Sequence, residues 1–228
     1  FTYKLGKGKR TVTKWISENL KGLIGKVRNE HKEGKRPEKQ KDLFADKSGE
    51  TLTNKALDVF GDLIFGNKNV RDKGGKKKNA ARIFRDSILS WAGDKYGPNS
   101  AEKAIIAKEV HQSKSFNKSA IEQTYDKSQY ESKAKEIVKE YIKEISKGGR
   151  DIDAKQFYNT KEISEGLRFL EKNKKDIKLQ VGGKEVFIDA TTAETLARYI
   201  IETGPRINEI VPSAKVKTQY QTERIGER

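Results

Sequence analysis

Apolar residues recur at two periods along this chain, and the switches between them predict the elements. Residues 1–16, FTYKLGKGKRTVTKWI, alternate, break at Gly6 and Gly8, and alternate again, which predicts a basic β-hairpin. From 15 to 30 the spacing turns helical, with Trp15, Ile16, Leu20, Leu23, Ile24 and Val27 on one face. A polar stretch, EHKEGKRPEKQKD, crosses to LFADKSGETLT at 43–53, a turn leading into a helix at 53–65. NKNVRDKGGKKKN, at 67–79, predicts a solvated basic loop. Helices are expected at 79–94, 99–110, 117–127 and 130–146, the last with Ala134, Ile137, Val138, Tyr141, Ile142 and Ile145 as its apolar stripe.

SKGGRDID, at 146–153, predicts a linker. Beyond it come a helix at 160–172, a hairpin in IKLQVGGKEVFI with Gly182 and Gly183 at its turn, and a helix at 191–203 capped by Thr191 or Thr192. The tail, SAKVKTQYQTERIGER, alternates like a strand, and no internal repeat is present. The fold class is therefore α+β, predominantly helical, with a small antiparallel sheet.

Composition narrows the chemistry. The 228 residues are 33% hydrophobic and 36% charged, with 49 Lys and Arg against 33 Asp and Glu, a net charge of +16. Such a field favours a polyanionic partner, nucleic acid first; a lysine-rich solubilising surface is the plainer reading. Without cysteine, disulfides, thiolate metal sites and thiol nucleophiles are excluded. Only His31 and His111 could supply imidazoles, so no metal and no cofactor is expected. No apolar run reaches membrane-span length and no secretory segment opens the chain, so a cytoplasmic protein is expected.

One stretch asks for an anion. In RYIIETGPRINEI, at 198–210, an apolar helical run meets Thr203-Gly204-Pro205, and Arg206 and Glu209 follow at once. ETGPRINEI resembles the first arginine box of the tyrosine recombinases, the phage-integrase family, whose usual form is Thr-Gly-x-Arg-x-x-Glu-hydrophobic. KNAARIFRDSILSWAG, at 78–93, resembles the second box, with Arg85 at the start of a buried helix and Arg82 where the family has histidine. AKEVHQ, at 107–112, resembles the segment bearing the later His or Trp. AIEQTYDKSQYESKAKEIVKEYIKEI resembles the nucleophile helix and the C-terminal helix, and the opening hairpin resembles the one carrying the family's lysine.

The family's order differs: there the first arginine box precedes the lysine hairpin. Joining residue 228 to residue 1 restores that order, so the chain reads as a circularly permuted tyrosine-recombinase-like catalytic domain. Residues 1–146 would carry the hairpin, second box and tyrosine, 147–159 would join the family's usual ends, and 160–228 would carry the first box. A separate segment placed out of order is the other reading, and the site is the same in both.

The resemblance implies a site-specific recombinase, from a virus or other mobile element, acting on double-stranded DNA through a 3′-phosphotyrosyl intermediate without metal. Arg206 and Arg85 would present paired N–H donors to the non-bridging phosphate oxygens. Glu209 would orient Arg206, and Arg82 would make a further phosphate contact. Tyr125 would attack the phosphorus, with Tyr130 as the competing choice. Lys4 would protonate the 5′-oxygen, or Lys7 if the turn is longer. His111 would bond the phosphate. Lys7, Lys9, Arg10, Lys76, Lys77 and Lys78 would meet the DNA backbone. The helix at 130–146 would pack on a neighbouring protomer of a homo-tetramer or else cover its own core.

Each assignment has a plainer alternative. Arg206 could be a surface ion pair, Arg85 a buried arginine answered by Asp86, and Tyr125 a packing tyrosine. A type IB topoisomerase or telomere resolvase would use the same groups, and a DNA-binding accessory protein would use none of them.

Overall fold

The computed structural model describes residues 2–4, 11–36, 43–66, 74–75, 80–111, 124–151 and 160–204. Strands β1 (Thr2–Lys4) and β2 (Thr11–Thr13) pair antiparallel, Lys4 opposite Thr11. Helices α1 (Glu18–Lys32), α2 (Asn54–Phe65), α3 (Ala80–Tyr96), α4 (Ala101–His111), α5 (Lys127–Lys147) and α6 (Thr160–Lys172) follow. A second antiparallel pair, β3 (Ile177–Val181) and β4 (Lys184–Ile188), leads into α7 (Ala190–Thr203). Among the described residues the fold is thus mostly helical, with two two-stranded sheets in place of one.

Local chemistry sets the helix ends. Ser17 and Thr53 begin α1 and α2 by accepting the N–H groups of Leu20 and Ala56. Asp126 does the same for α5: its carboxylate accepts the Gln129 N–H at 2.9 Å, so that helix starts at Lys127, ahead of the expected 130. The cap of α7 is Asp189 and not Thr191 or Thr192. Its carboxylate takes the Thr192 N–H and hydroxyl and also the buried guanidinium of Arg36, at 2.8 Å. A charged cap with three donors outcompetes a hydroxyl one or two residues along.

The helices enclose one core. Ile83 and Trp91 of α3, Ile105 and Ile106 of α4, Ile137 and Tyr141 of α5, Ile163 of α6 and Leu196 of α7 are almost wholly buried. Trp91 packs on Tyr141 at 5.2 Å between ring centroids, and Phe65 meets Phe84 edge to face at 4.9 Å. Helix α1 lies on α7, α2 on α6, and α5 on both α4 and α6, so residues on either side of 152–159 share the same interior. The flanks of that segment are clasped: the Arg150 N–H donates to the Thr160 hydroxyl at 2.5 Å, and the Lys161 N–H to the Arg150 carbonyl at 3.0 Å. The helix expected at 117–127 and the tail strand at 213–228 lie outside the described residues, apart from 124–127. No helix among the described residues is long and apolar enough to cross a membrane.

The packing of α6 on α2 depends on a missing side chain. A Cβ on Gly166 would stand 2.4 Å from Phe65 Cδ1 and 2.7 Å from the Ile64 carbonyl oxygen. Gly166→Ala is therefore expected to lower stability by about 1–3 kcal/mol, although alanine is the better helix former. Gly22→Ala, on α1 with nothing within 4 Å of the new methyl, should raise stability by up to about 1 kcal/mol. Urea midpoints of the two variants, moving in opposite directions, check the pair.

Candidate functional site

Three segments meet where α7 ends. Gly204 adopts the left-handed conformation, φ 52°, and its N–H returns to the Ile200 carbonyl, closing the helix before Pro205 in the sequence. Space is tight there as well: a Cβ would stand 3.1 Å from Cγ of Arg85 and 3.1 Å from Cγ1 of Val110. The start of α3, the end of α4 and the end of α7 thus share one contact, two residues before Arg206 and one before His111.

The strand β2 side is fastened to the same turn. Lys14, 8% exposed, donates from Nζ to the Thr203 carbonyl at 2.6 Å. That carbonyl is one of those a helix end leaves without an intrahelical partner, and an ammonium there also meets the negative end of the helix dipole. The preceding residue, Glu202, also buried, accepts the Ser17 N–H at 2.8 Å and the Ser17 hydroxyl at 2.7 Å. Ser17 is itself the cap of α1, so a buried carboxylate sits at that helix's N-terminus. Burial pushes the Glu202 carboxyl above its ordinary value, while the Ser17 bonds and the Arg198 charge pull it down.

Beside this junction lies an open cleft of about 610 Å³, within the range of ligand sites. Lys14, Glu109, Val110, Tyr130, Glu202 and Thr203 contribute to its walls. The Tyr130 hydroxyl donates to Glu109 at 2.8 Å, and the Lys108 ammonium stands 4.2 Å from the centre of its ring. Burial, followed by the Glu109 charge, pushes the Tyr130 phenol well up.

The expected site residues fare differently. Arg85, half-buried, reaches the junction, and His111 is the last residue of α4. Arg82 is exposed, 4.0 Å from Asp86 on the next turn. Lys4 lies in β1. Tyr125 is not brought to this end of α4. Its hydroxyl donates to Glu102 at 2.7 Å, nine residues before His111, and nine residues rise about 13 Å along a helix. Burial and the bond to Glu102 push this phenol up to about 12. Arg206, Glu209, Lys7, Lys9, Arg10, Lys76, Lys77 and Lys78 lie outside the described residues.

Sequence reading passed over Lys14, Glu109 and Glu202. Glu202 carried a signal, since a carboxylate interrupting the apolar run YIIETG is unusual unless it has buried partners. Lys14 carried none among so many lysines. No protein-family model matches the chain, and no curated protein and no solved structure is similar to it.

The raised Glu202 carboxyl has a measurable consequence. A carboxyl more easily protonated in the fold than in the unfolded chain favours folding at low pH, and that share fades as pH rises from about 4.5 through the raised value. Glu202→Gln keeps an acceptor for the Ser17 N–H, reverses the hydroxyl bond so that its amide donates to Ser17 Oγ, and has no charge to bury. Its stability relative to the unsubstituted protein should therefore improve between pH 4.5 and pH 8 in urea denaturation.

Proposed function

We propose that this chain is the catalytic domain of a DNA strand-transfer enzyme of the tyrosine-recombinase kind, cutting and rejoining duplex DNA through a 3′-phosphotyrosyl bond. The observation that carries the reading is the contact of Gly204 with Arg85 and Val110. It draws together the three segments that resemble the family's arginine boxes and its histidine segment, although 85 and 204 lie far apart in the chain. The clasp between Arg150 and Thr160 supports the permuted order, because the family's usual ends would be joined there. The net charge of +16 suits a polyanionic duplex.

In this reading Arg85 and Arg206 flank the scissile phosphate and stabilise the charge of its five-coordinate state. Glu209 orients Arg206, and His111 and Arg82 bond the phosphate. A phenol at the start of α5, Tyr125 or Tyr130, attacks. A hairpin lysine, Lys4 or Lys7, protonates the departing 5′-oxygen. Transfer to a second strand's 5′-hydroxyl gives exchange, within a homo-tetramer on DNA. The site acts inside the cell.

The test uses nicked duplexes of randomised sequence in which cleavage releases a short strand and so traps the intermediate. Incubation with a metal chelator present should leave a denaturant-resistant protein–DNA adduct. Arg85→Ala should slow its formation by about 10²–10³-fold. Tight binding of the duplex with no adduct would make the chain an accessory DNA-binding protein instead.

A further inference from the structure

Resting on the strand-transfer reading, we infer that Tyr130 is the attacking phenol and that the Glu109 carboxylate accepts its proton. The cleft is where this follows. Tyr130 lines it from α5, and Glu109 and Val110 line it from α4. Lys14 and Thr203 line it from the hairpin side and from α7, so the cleft adjoins the turn that packs on Arg85.

The phenols at 96, 125, 141 and 199 are committed elsewhere. Tyr125 bonds Glu102 at the far end of α4, Tyr96 bonds Glu140, Tyr141 is buried in the core, and Tyr199 stacks on Phe44. Tyr130 lines the same cleft as Val110 and Thr203, next to the Gly204 turn.

The partners of Tyr130 suit a proton transfer. Its hydroxyl stands 2.8 Å from the Glu109 carboxylate, the nearer of two acceptors, with the Ile105 carbonyl at 3.5 Å. A phenol that is hard to ionise in place does not attack as a preformed phenolate, so its proton must leave as the new bond forms. Lys108, above the ring, favours the negative charge that develops on it. The step balances. The Oη–phosphorus bond forms as the bond from phosphorus to the 5′-oxygen breaks. The phenolic proton passes to Glu109, and the 5′-oxygen takes a proton from the hairpin lysine. Religation reverses each transfer, with Glu109 returning the proton to the departing phenol.

Mass spectrometry of the trapped adduct decides the nucleophile, because trypsin separates the two phenols. Tyr125 falls in the peptide 119–127 and Tyr130 in 128–133. Nucleotide is expected on 128–133; nucleotide on 119–127 would overturn the assignment while leaving strand transfer intact. Tyr130→Phe should abolish the adduct and Tyr125→Phe keep it. Glu109→Gln should slow adduct formation by about 10²–10⁴-fold. The slowing should persist on duplexes with sulfur in place of the scissile 5′-oxygen, a leaving group that needs no acid. A slowing erased by the sulfur, or matched by an equal loss of duplex affinity, would overturn the role of Glu109. An unsubstituted protein that forms no adduct at all would instead overturn the strand-transfer reading beneath both.

Discussion

Two helix ends interlock through opposite charges, and the geometry of the junction depends on that exchange. The carboxylate of Glu202, from the last turn of α7, sits at the N-terminus of α1, and the ammonium of Lys14, just ahead of α1, sits at the C-terminus of α7. Each charge meets the helix end whose dipole it favours and fills backbone positions that helix geometry leaves open. Both groups are almost excluded from solvent, so breaking either bond would strand a buried charge. The end of α7 and the start of α1 are held together by this pair.

Preorganisation of this kind is what the proposed metal-free phosphoryl transfer would ask of the protein. Charged donors must stand ready where negative charge develops, because moving them during the reaction forfeits the gain. A Cβ on Gly204 would press on Arg85 Cγ and Val110 Cγ1 at 3.1 Å, so α3 and α4 both pack closely against the end of α7. Helix α4 enters the same contact through Val110 and carries Glu109 into the cleft. The cleft and the junction are two faces of one packing arrangement.

Periodicity was enough to read most helices, because their apolar stripes are strong. In the stripe on α5, Ala134, Ile137, Tyr141 and Ile145 are buried, and Val138 and Ile142 are half-buried at its edge. Its first turn was not legible, since Lys127-Ser128-Gln129 is polar and the helix begins there through the Asp126 cap. The cap of α7 was misread for a related reason. Asp189 gains its advantage from Arg36, a partner 153 residues away that no local motif reveals. In the candidate site, Arg85 was legible as a cation framed by apolar residues. The partners of Tyr125 and Tyr130 were not, because which carboxylate each phenol meets depends on how α5 docks along α4.

The clasp at Arg150 and Thr160 bears on how such a chain could be rewired. Ring-closure entropy grows only with the logarithm of loop length, so doubling the span between clasped ends costs about 0.6 kcal/mol. With Arg150 and Thr160 already hydrogen-bonded to each other, lengthening the sequence between them carries only this small entropic cost. An extra module could be threaded into it, or the polypeptide opened there, with little disturbance to the interior the two halves share.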